Sequence, residues 1–194
     1  MRSQKEAKGG LKMDRGNVKK GIGLLFWGNI LGLFILIPFV GVFMVIAAFI
    51  IELIGLWGLR KEDENYNTAF FLMVIGVIIG LFGGGDGALS SLMKLLQSAA
   101  SLGATYMICT ATSSCVAPYA SDVADYCISV RTWYVTCMAI SIAINLIVLV
   151  FSIIPVLGWI VAVLGSVAAV IVAIFQLAAS IRYLIMLWKC QGVL

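Results

Sequence analysis

Residues 21–59 read GIGLLFWGNILGLFILIPFVGVFMVIAAFIIELIGLWGL and carry one charge, Glu52. A straight helix of that length would extend roughly 58 Å at 1.5 Å per residue, against a hydrocarbon core of ~30 Å. The chain must therefore turn back within it. Ile37-Pro38-Phe39-Val40-Gly41 holds the turn chemistry of the stretch. Proline breaks the helical ladder, and glycine accepts the backbone that a tight reversal needs. This predicts a first membrane span over 21–37 and a second over 41–59.

Outward from this hairpin the same logic repeats. Arg60-Lys61-Glu62-Asp63-Glu64-Asn65 is a polar stop. A third span follows over 67–83 and ends in Gly83-Gly84-Gly85-Asp86-Gly87. The block 132–188 turns at Ile154-Pro155-Val156-Leu157-Gly158, which predicts a fifth span over 132–154 and a sixth over 158–187. Between them the reading is open. Residues 95–121 carry no charge but are only mildly apolar. They form either a fourth span over 89–111 or a surface helix, with Leu89, Leu92, Met93, Leu96, Ala99 and Ala100 as its apolar stripe.

Composition agrees with a bilayer as solvent. Hydrophobic residues make up 62% of the 194 and charged residues 11%, where soluble domains carry about 25% charged. A chain this short cannot hide that deficit in a core. The charges are also uneven. Arg2, Lys5, Lys8, Lys12, Arg15, Lys19 and Lys20 stand in residues 1–20 against Glu6 and Asp14. Such a tail is read as the signal that keeps its end in the cytoplasm, not as a nucleic-acid-binding arm. The uninterrupted run from Ile22 lacks the cleavage pattern of a secretory leader. With six spans, this tail, Arg60, Lys61, Arg131 and Lys189 share the cytoplasmic side. With five, Arg131 and Lys189 fall outside. The orientation rule favours six. The expected architecture is an all-α polytopic bundle: a basic tail over 1–20, then a single transmembrane domain over 21–194 with both ends cytoplasmic.

The two proline hairpins, 21–59 and 132–188, are alike. Asn29 precedes Pro38 by nine residues and Asn145 precedes Pro155 by ten, each within an Ile-Pro-x-x-Gly turn. This is either an internal repeat or convergence forced by biased composition. The Ile-Pro-x-x-Gly hairpin, Tyr66-x-x-Ala69-Phe70, the segment Tyr106-Met107-Ile108-Cys109-Thr110-Ala111-Thr112-Ser113 and Arg131-Thr132-Trp133 resemble a group of small uncharacterised multi-span membrane proteins of Gram-positive bacteria. The likeness runs over most of the chain. It implies six spans and a bacterial cytoplasmic membrane, and it supplies no activity. The group's charged loop after the Cys-Thr-x-Thr-Ser segment is milder here, with Pro118, Asp122 and Asp125.

Ionisable groups inside a span are costly, and they mark function or a partner. Glu52 stands eight residues before Arg60, and Arg182 seven before Lys189. Both therefore lie about 10–12 Å from the cytoplasmic boundary. A Glu52–Arg182 pair is the expected arrangement, serving as a lock between spans two and six or as a gate or ligand site. Alternatively Arg182 snorkels alone. Asn29, Asn145 and Gln176 are the other strong hydrogen-bonding groups, read as interhelical glue or as the lining of a polar path. Helix-packing faces are expected at Gly28 and Gly32, at Gly76, Gly80 and Gly84, and at Gly165, Ala169 and Ala173. The five tryptophans fall near expected span ends, as interfacial anchors do.

Catalytic chemistry has little to work with. Histidine is absent, and the cysteines (Cys109, Cys115, Cys127, Cys137, Cys190) form no Cys-x-x-Cys pair. Zinc, haem and dithiol redox centres are thereby disfavoured, and so is general-base catalysis. No cofactor is expected. Cys115 and Cys127 form a disulfide if residues 112–131 face outward, and stay reduced if they face the cytoplasm. Two functions lead: transport or permeation of an ion or small solute by a homo-oligomer, or an accessory subunit that binds lipid or another membrane protein. An intramembrane enzyme with an acid-dependent site at Glu52 ranks third, for want of a general base.

Overall fold

The computed structural model describes residues 14–36, 40–82, 88–151 and 155–194, with side chains described except at 35, 36, 40, 88, 148, 149, 151, 155–167 and 169. These residues form six α-helices and no strand: α1 Arg15–Gly32, extended by a 3₁₀ turn over Leu33–Leu36, α2 Val40–Leu59, α3 Glu64–Phe82, α4 Ala88–Val116, α5 Ser121–Phe151 and α6 Pro155–Val193. Residues 37–39, 83–87 and 152–154 lie outside the described residues, and the expected turn over 154–158 is displaced, since Pro155 to Gly158 already belong to α6.

Local chemistry sets the helix ends. Asp14 caps α1 by accepting hydrogen bonds from the amides of Gly16 (2.9 Å) and Asn17 (3.4 Å). Asp63 does the same for α3, accepting from the amide of Asn65 at 2.8 Å. Helix α4 stops at Val116, two residues before Pro118. Helix α6 opens on Pro155, whose missing N–H costs nothing at a helix start.

Consecutive helices pack against each other along the chain, and α1 packs on α6, so the six close into a ring. One end gathers both chain-terminal elements and two tight turns. Arg15 donates from Nε to the carbonyl of Leu194 and from Nη2 to that of Val193, both at 2.6 Å. The amide of Asp14 donates to Glu62 Oε2 at 3.0 Å. We call this the basal end. The main core fills it, built from Val18, Ile22 and Leu25 of α1, Leu56 and Leu59 of α2, Tyr66 of α3, Cys115 and Val116 of α4, Cys127 and Val130 of α5, and Met186, Leu187 and Cys190 of α6. A buried hydrogen bond in it joins α3 to α4, where the Tyr66 hydroxyl lies 2.9 Å from Thr112 Oγ1. Tyr66→Phe would strand the threonine oxygen, and an unmade buried hydrogen bond costs about 1–3 kcal/mol. A loss of that size in unfolding free energy, measured by chemical denaturation in mixed micelles, is the expected result.

Away from the base, large apolar side chains face outward on every helix that the composition marks as a span. Phe43, Leu81, Phe82, Val170 and Ile174 are among the most exposed. Water does not tolerate apolar surface of this extent on a monomer, whereas lipid does. Among the described residues, four helical segments are long and apolar enough to cross a membrane: Gly41–Leu59, Glu64–Phe82, Ser121–Ile147 and Val170–Val193. Helices α1 and α4 are more polar but belong to the same bundle.

Helix α4, 29 residues long, is not one of these four segments, yet it packs against α3 and α5 within the bundle. Of the expected stripe only Ala100 is buried; Leu89, Leu92, Leu96 and Ala99 are exposed, and the buried face continues from Ala100 through Ala104, Ile108 and Ala111. The polar appearance of the sequence has a local remedy. Ser98, Thr105, Thr110 and Ser114 each donate their hydroxyl to the carbonyl four residues back, so each brings its own hydrogen-bond partner into an apolar setting.

Candidate membrane-embedded cavity

Helices α1 and α2 meet through glycine. A Cβ at position 28 would stand 2.5 Å from Glu52 Cγ and 3.1 Å from the carbonyl oxygen of Ala48. One at position 55 would stand 3.1 Å from the carbonyl oxygen of Gly21. The stem of Glu52 therefore crosses the open face of Gly28, and its carboxyl turns inward.

There it reaches a cavity of about 200 Å³ lined by all six helices. Leu25 and Asn29 come from α1, Glu52 from α2, Met73 from α3, Ser101, Ala104, Thr105 and Ile108 from α4, Tyr134 from α5, and Ser180 and Tyr183 from α6. The volume admits several waters or a small solute. Leu25, Ile108 and Tyr183 also belong to the basal core, so packed side chains close the cavity on that side.

The polar groups of this lining are arranged unevenly. Asn29 Nδ2 donates to the carbonyl of Leu25 at 2.9 Å, Thr105 Oγ1 to that of Ser101 at 3.0 Å, and Ser180 Oγ to that of Gln176 at 2.9 Å. Their donors are engaged by their own helices, and Thr105 is also hydrogen-bonded with the Tyr134 hydroxyl, so the free oxygen lone pairs are chiefly those of Asn29 and Ser180. Glu52 forms no ion pair or hydrogen bond among the described residues. A carboxyl with acceptor oxygens around it favours a guest that brings positive charge or donors.

The structure separates the polar residues that the sequence suggested. Glu52 and Arg182 share a level, because Glu52 lines the cavity with Tyr134 and Tyr183, the chain neighbours of Trp133 and Arg182. They do not share a face, and the expected ion pair is not formed. Arg182 lies on the flank of α6, its guanidinium 5.1 Å from the centre of the Trp133 ring on α5. The register explains its place. Tyr183 stacks near Tyr134 and Cys190 meets Cys127, which sets Arg182 within about one turn of Arg131.

The three amides also part company. Asn29 lines the cavity. Asn145 is exposed and bonds the Ser141 carbonyl of its own helix at 2.8 Å, so the two asparagines do not form one path. Gln176 joins α6 to α5 by donating to Ser141 Oγ at 3.2 Å. Among the small residues, Gly28 packs against α2, and Gly76 and Gly80 against Ala100 and Gln97 of α4. Gly32 meets nothing within 4 Å, and Ala173 is exposed. Gly84, Gly165 and Ala169 fall outside the described residues or side chains. Cys115 and Cys127 are not linked; all five cysteines are free and buried, and Cys127 Sγ lies 3.5 Å from Cys190 Sγ.

Eight lining residues were not singled out in the sequence: Leu25, Met73, Ser101, Ala104, Thr105, Tyr134, Ser180 and Tyr183. One pattern was available. Ser101, Ala104, Thr105 and Ile108 follow the i, i+3, i+4, i+7 spacing of a single helical face, small and hydroxylated in a chain of bulky apolar residues.

No protein-family model matches the chain, and neither a curated protein nor a solved structure matches it.

Proposed function

We propose that this chain is a non-enzymatic integral membrane protein of six spans that moves an ion or small solute through its central cavity, with small cations and protonated amines as the favoured class. The observation that carries this reading is the carboxyl of Glu52, without a partner among the described residues, in a cavity to which every helix contributes. A structural glutamate inside a membrane bundle is expected to be paired. One held beside empty volume is poised for a guest.

Charge placement supports the orientation. Arg15, Lys19, Lys20, Arg60, Lys61, Arg131 and Lys189 lie on the basal half. Several stack on aromatic rings there: Arg60 at 3.4 Å from the Trp57 ring centre, Lys189 at 4.3 Å from that of Tyr126, and Arg15 at 4.9 Å from that of Tyr119. This belt of cations and aromatics reads as the cytoplasmic interface. The core beneath the cavity then seals it from the cytoplasm, which fits a carrier or gated path better than an open pore.

Reconstitution tests the proposal. Proteoliposomes loaded with a monovalent-cation indicator should exchange potassium, sodium or a small alkylammonium ion at least tenfold faster than protein-free vesicles. Rates equal to those of empty vesicles for all three, and for neutral solutes, would refute it.

A further inference from the structure

A second cavity lies outside the bundle, at the basal end between α1 and α2, with a volume of about 450 Å³. We infer that this groove binds one anionic phospholipid, its phosphate held by Lys20 and Lys61 and the upper part of an acyl chain laid over Leu24 and Ile54. The site is independent of the central cavity and of the transport reading.

Three observations point to this occupant. The first is polarity along the groove. Asn17, Lys20 and Lys61 stand at its basal end, whereas Leu24 and Ile54 stand about one to two turns further into the bundle. That order, cation and donor first and apolar surface next, is the order of a lipid from headgroup to chain. Seven residues of helix span about 10 Å, which covers a headgroup and the first part of a chain.

The second is charge. Among the described residues no carboxylate pairs with either lysine. Nearby acids are used elsewhere: Glu62 accepts from the amide of Asp14, and Asp63 caps α3. Two unpaired ammonium groups in one groove complement a phosphate, and basic pockets between helices on the cytoplasmic side suit anionic headgroups.

The third is the shape of the floor. Gly21, Gly55 and Gly58 line the groove. Gly21 and Gly55 let the two helices touch, while the space over Gly58 is open, with nothing within 4 Å of where its Cβ would be. Trp57 walls one side, with the Arg60 guanidinium stacked on its ring. A channel with a backbone floor and an aromatic wall accepts a chain that a bulky side chain would exclude.

The open space over Gly58 also supplies a clean test. A Cβ at position 58 has nothing within 4 Å, so Gly58→Leu enters the groove from an open start and the fold should persist, which circular dichroism checks. The full chain is reconstituted with equimolar phosphatidylglycerol and phosphatidylcholine, extracted in mild detergent, and read by native mass spectrometry. The wild type should retain one phosphatidylglycerol, favoured over phosphatidylcholine by at least roughly fivefold, as one or two interfacial cations allow. Lys20→Gln with Lys61→Gln should bring that ratio close to one. Gly58→Leu should lower retention of that lipid severalfold with both lysines intact. Equal retention of the two lipids by the wild type overturns the site. So does a preference that survives both the lysine pair and Gly58→Leu, or one lost only on neutralising Arg131 or Lys189.

Discussion

Glu52→Gln is expected to lower cation flux through reconstituted protein by at least tenfold while leaving the fold intact or slightly more stable. The two effects separate because of where the carboxyl stands. It makes no hydrogen bond or ion pair among the described residues, so the amide, of nearly the same size, breaks no contact. Burying a charge is costly, so its removal relieves rather than strains the bundle. A cation in the cavity loses its principal attraction. At 4 Å and an effective dielectric near 20, two unit charges attract by about 4 kcal/mol. Desolvation of the guest offsets part of this, and each ~1.4 kcal/mol that remains is a factor of ten. Glu52→Asp keeps the charge on a shorter arm and should retain intermediate flux. Flux assays on the three proteins, with thermal unfolding in parallel, decide the matter. Unchanged flux in the glutamine variant would remove Glu52 from any transport role. Lost flux with lost stability would make it a packing residue.

The sequence led to Glu52 by a simple route: it is the one charge in thirty-nine residues. It could not show what Glu52 faces. Depth is a matter of counting residues from a boundary, and counting placed Glu52 and Arg182 at one level. Facing is an angular property, and in a helix apolar on all sides the pattern gives no angle. The pair therefore looked natural in one dimension and is absent in three. Arg182 follows Ile181 and precedes Tyr183, and a step of about 100° per residue carries it from the cavity side of α6 to the flank beside Trp133. The same blindness hid Tyr134, Tyr183 and Ser180, which read as ordinary members of apolar runs.

The fold was more legible, because it rests on lengths and breaks. The polar stop after Leu59 and the first proline turn place α2 and α3 well, whereas α6 already begins at Pro155, inside the second expected turn. Helix α2 covers Val40–Leu59 against an expected 41–59, and α3 covers Glu64–Phe82 against 67–83. The larger errors lie at the basal ends. Helix α5 starts eleven residues before the expected 132 and α6 runs to Val193 beyond the expected 187. Hydropathy marks where a helix meets lipid, and both helices continue past that boundary as the walls of the basal core. Val123, Cys127 and Val130 on one, and Met186, Leu187 and Cys190 on the other, are buried against protein rather than lipid. Helix α4 was ambiguous for a related reason. Its hydroxyls lower any hydropathy average, although each is satisfied inside its own helix.

Gly28 and Gly32 stand in one sequence motif, yet they should respond to substitution with opposite signs. Gly28→Val puts a branched side chain where Glu52 Cγ lies 2.5 Å from the new Cβ and a backbone oxygen, that of Ala48, lies 3.1 Å away. The glutamate stem can swing aside, but the backbone of α2 cannot yield without parting the two helices. Overpacking of this kind costs typically 1–3 kcal/mol, and valine adds a smaller penalty from its restricted rotamers. Gly32→Ala adds a methyl where nothing lies within 4 Å. It replaces the residue with the greatest backbone freedom and should gain up to ~1 kcal/mol. Unfolding in mixed micelles should therefore rank the proteins Gly32→Ala, wild type, Gly28→Val. Flux adds a second reading, because the valine displaces the stem of Glu52 from its track. Gly28→Val should lose transport even under conditions where it remains folded, and Gly32→Ala should keep it. Equal destabilisation by the two changes would mean that the whole motif packs as one face. It would also mean that the open face of Gly28 is not what sets the track of the Glu52 stem.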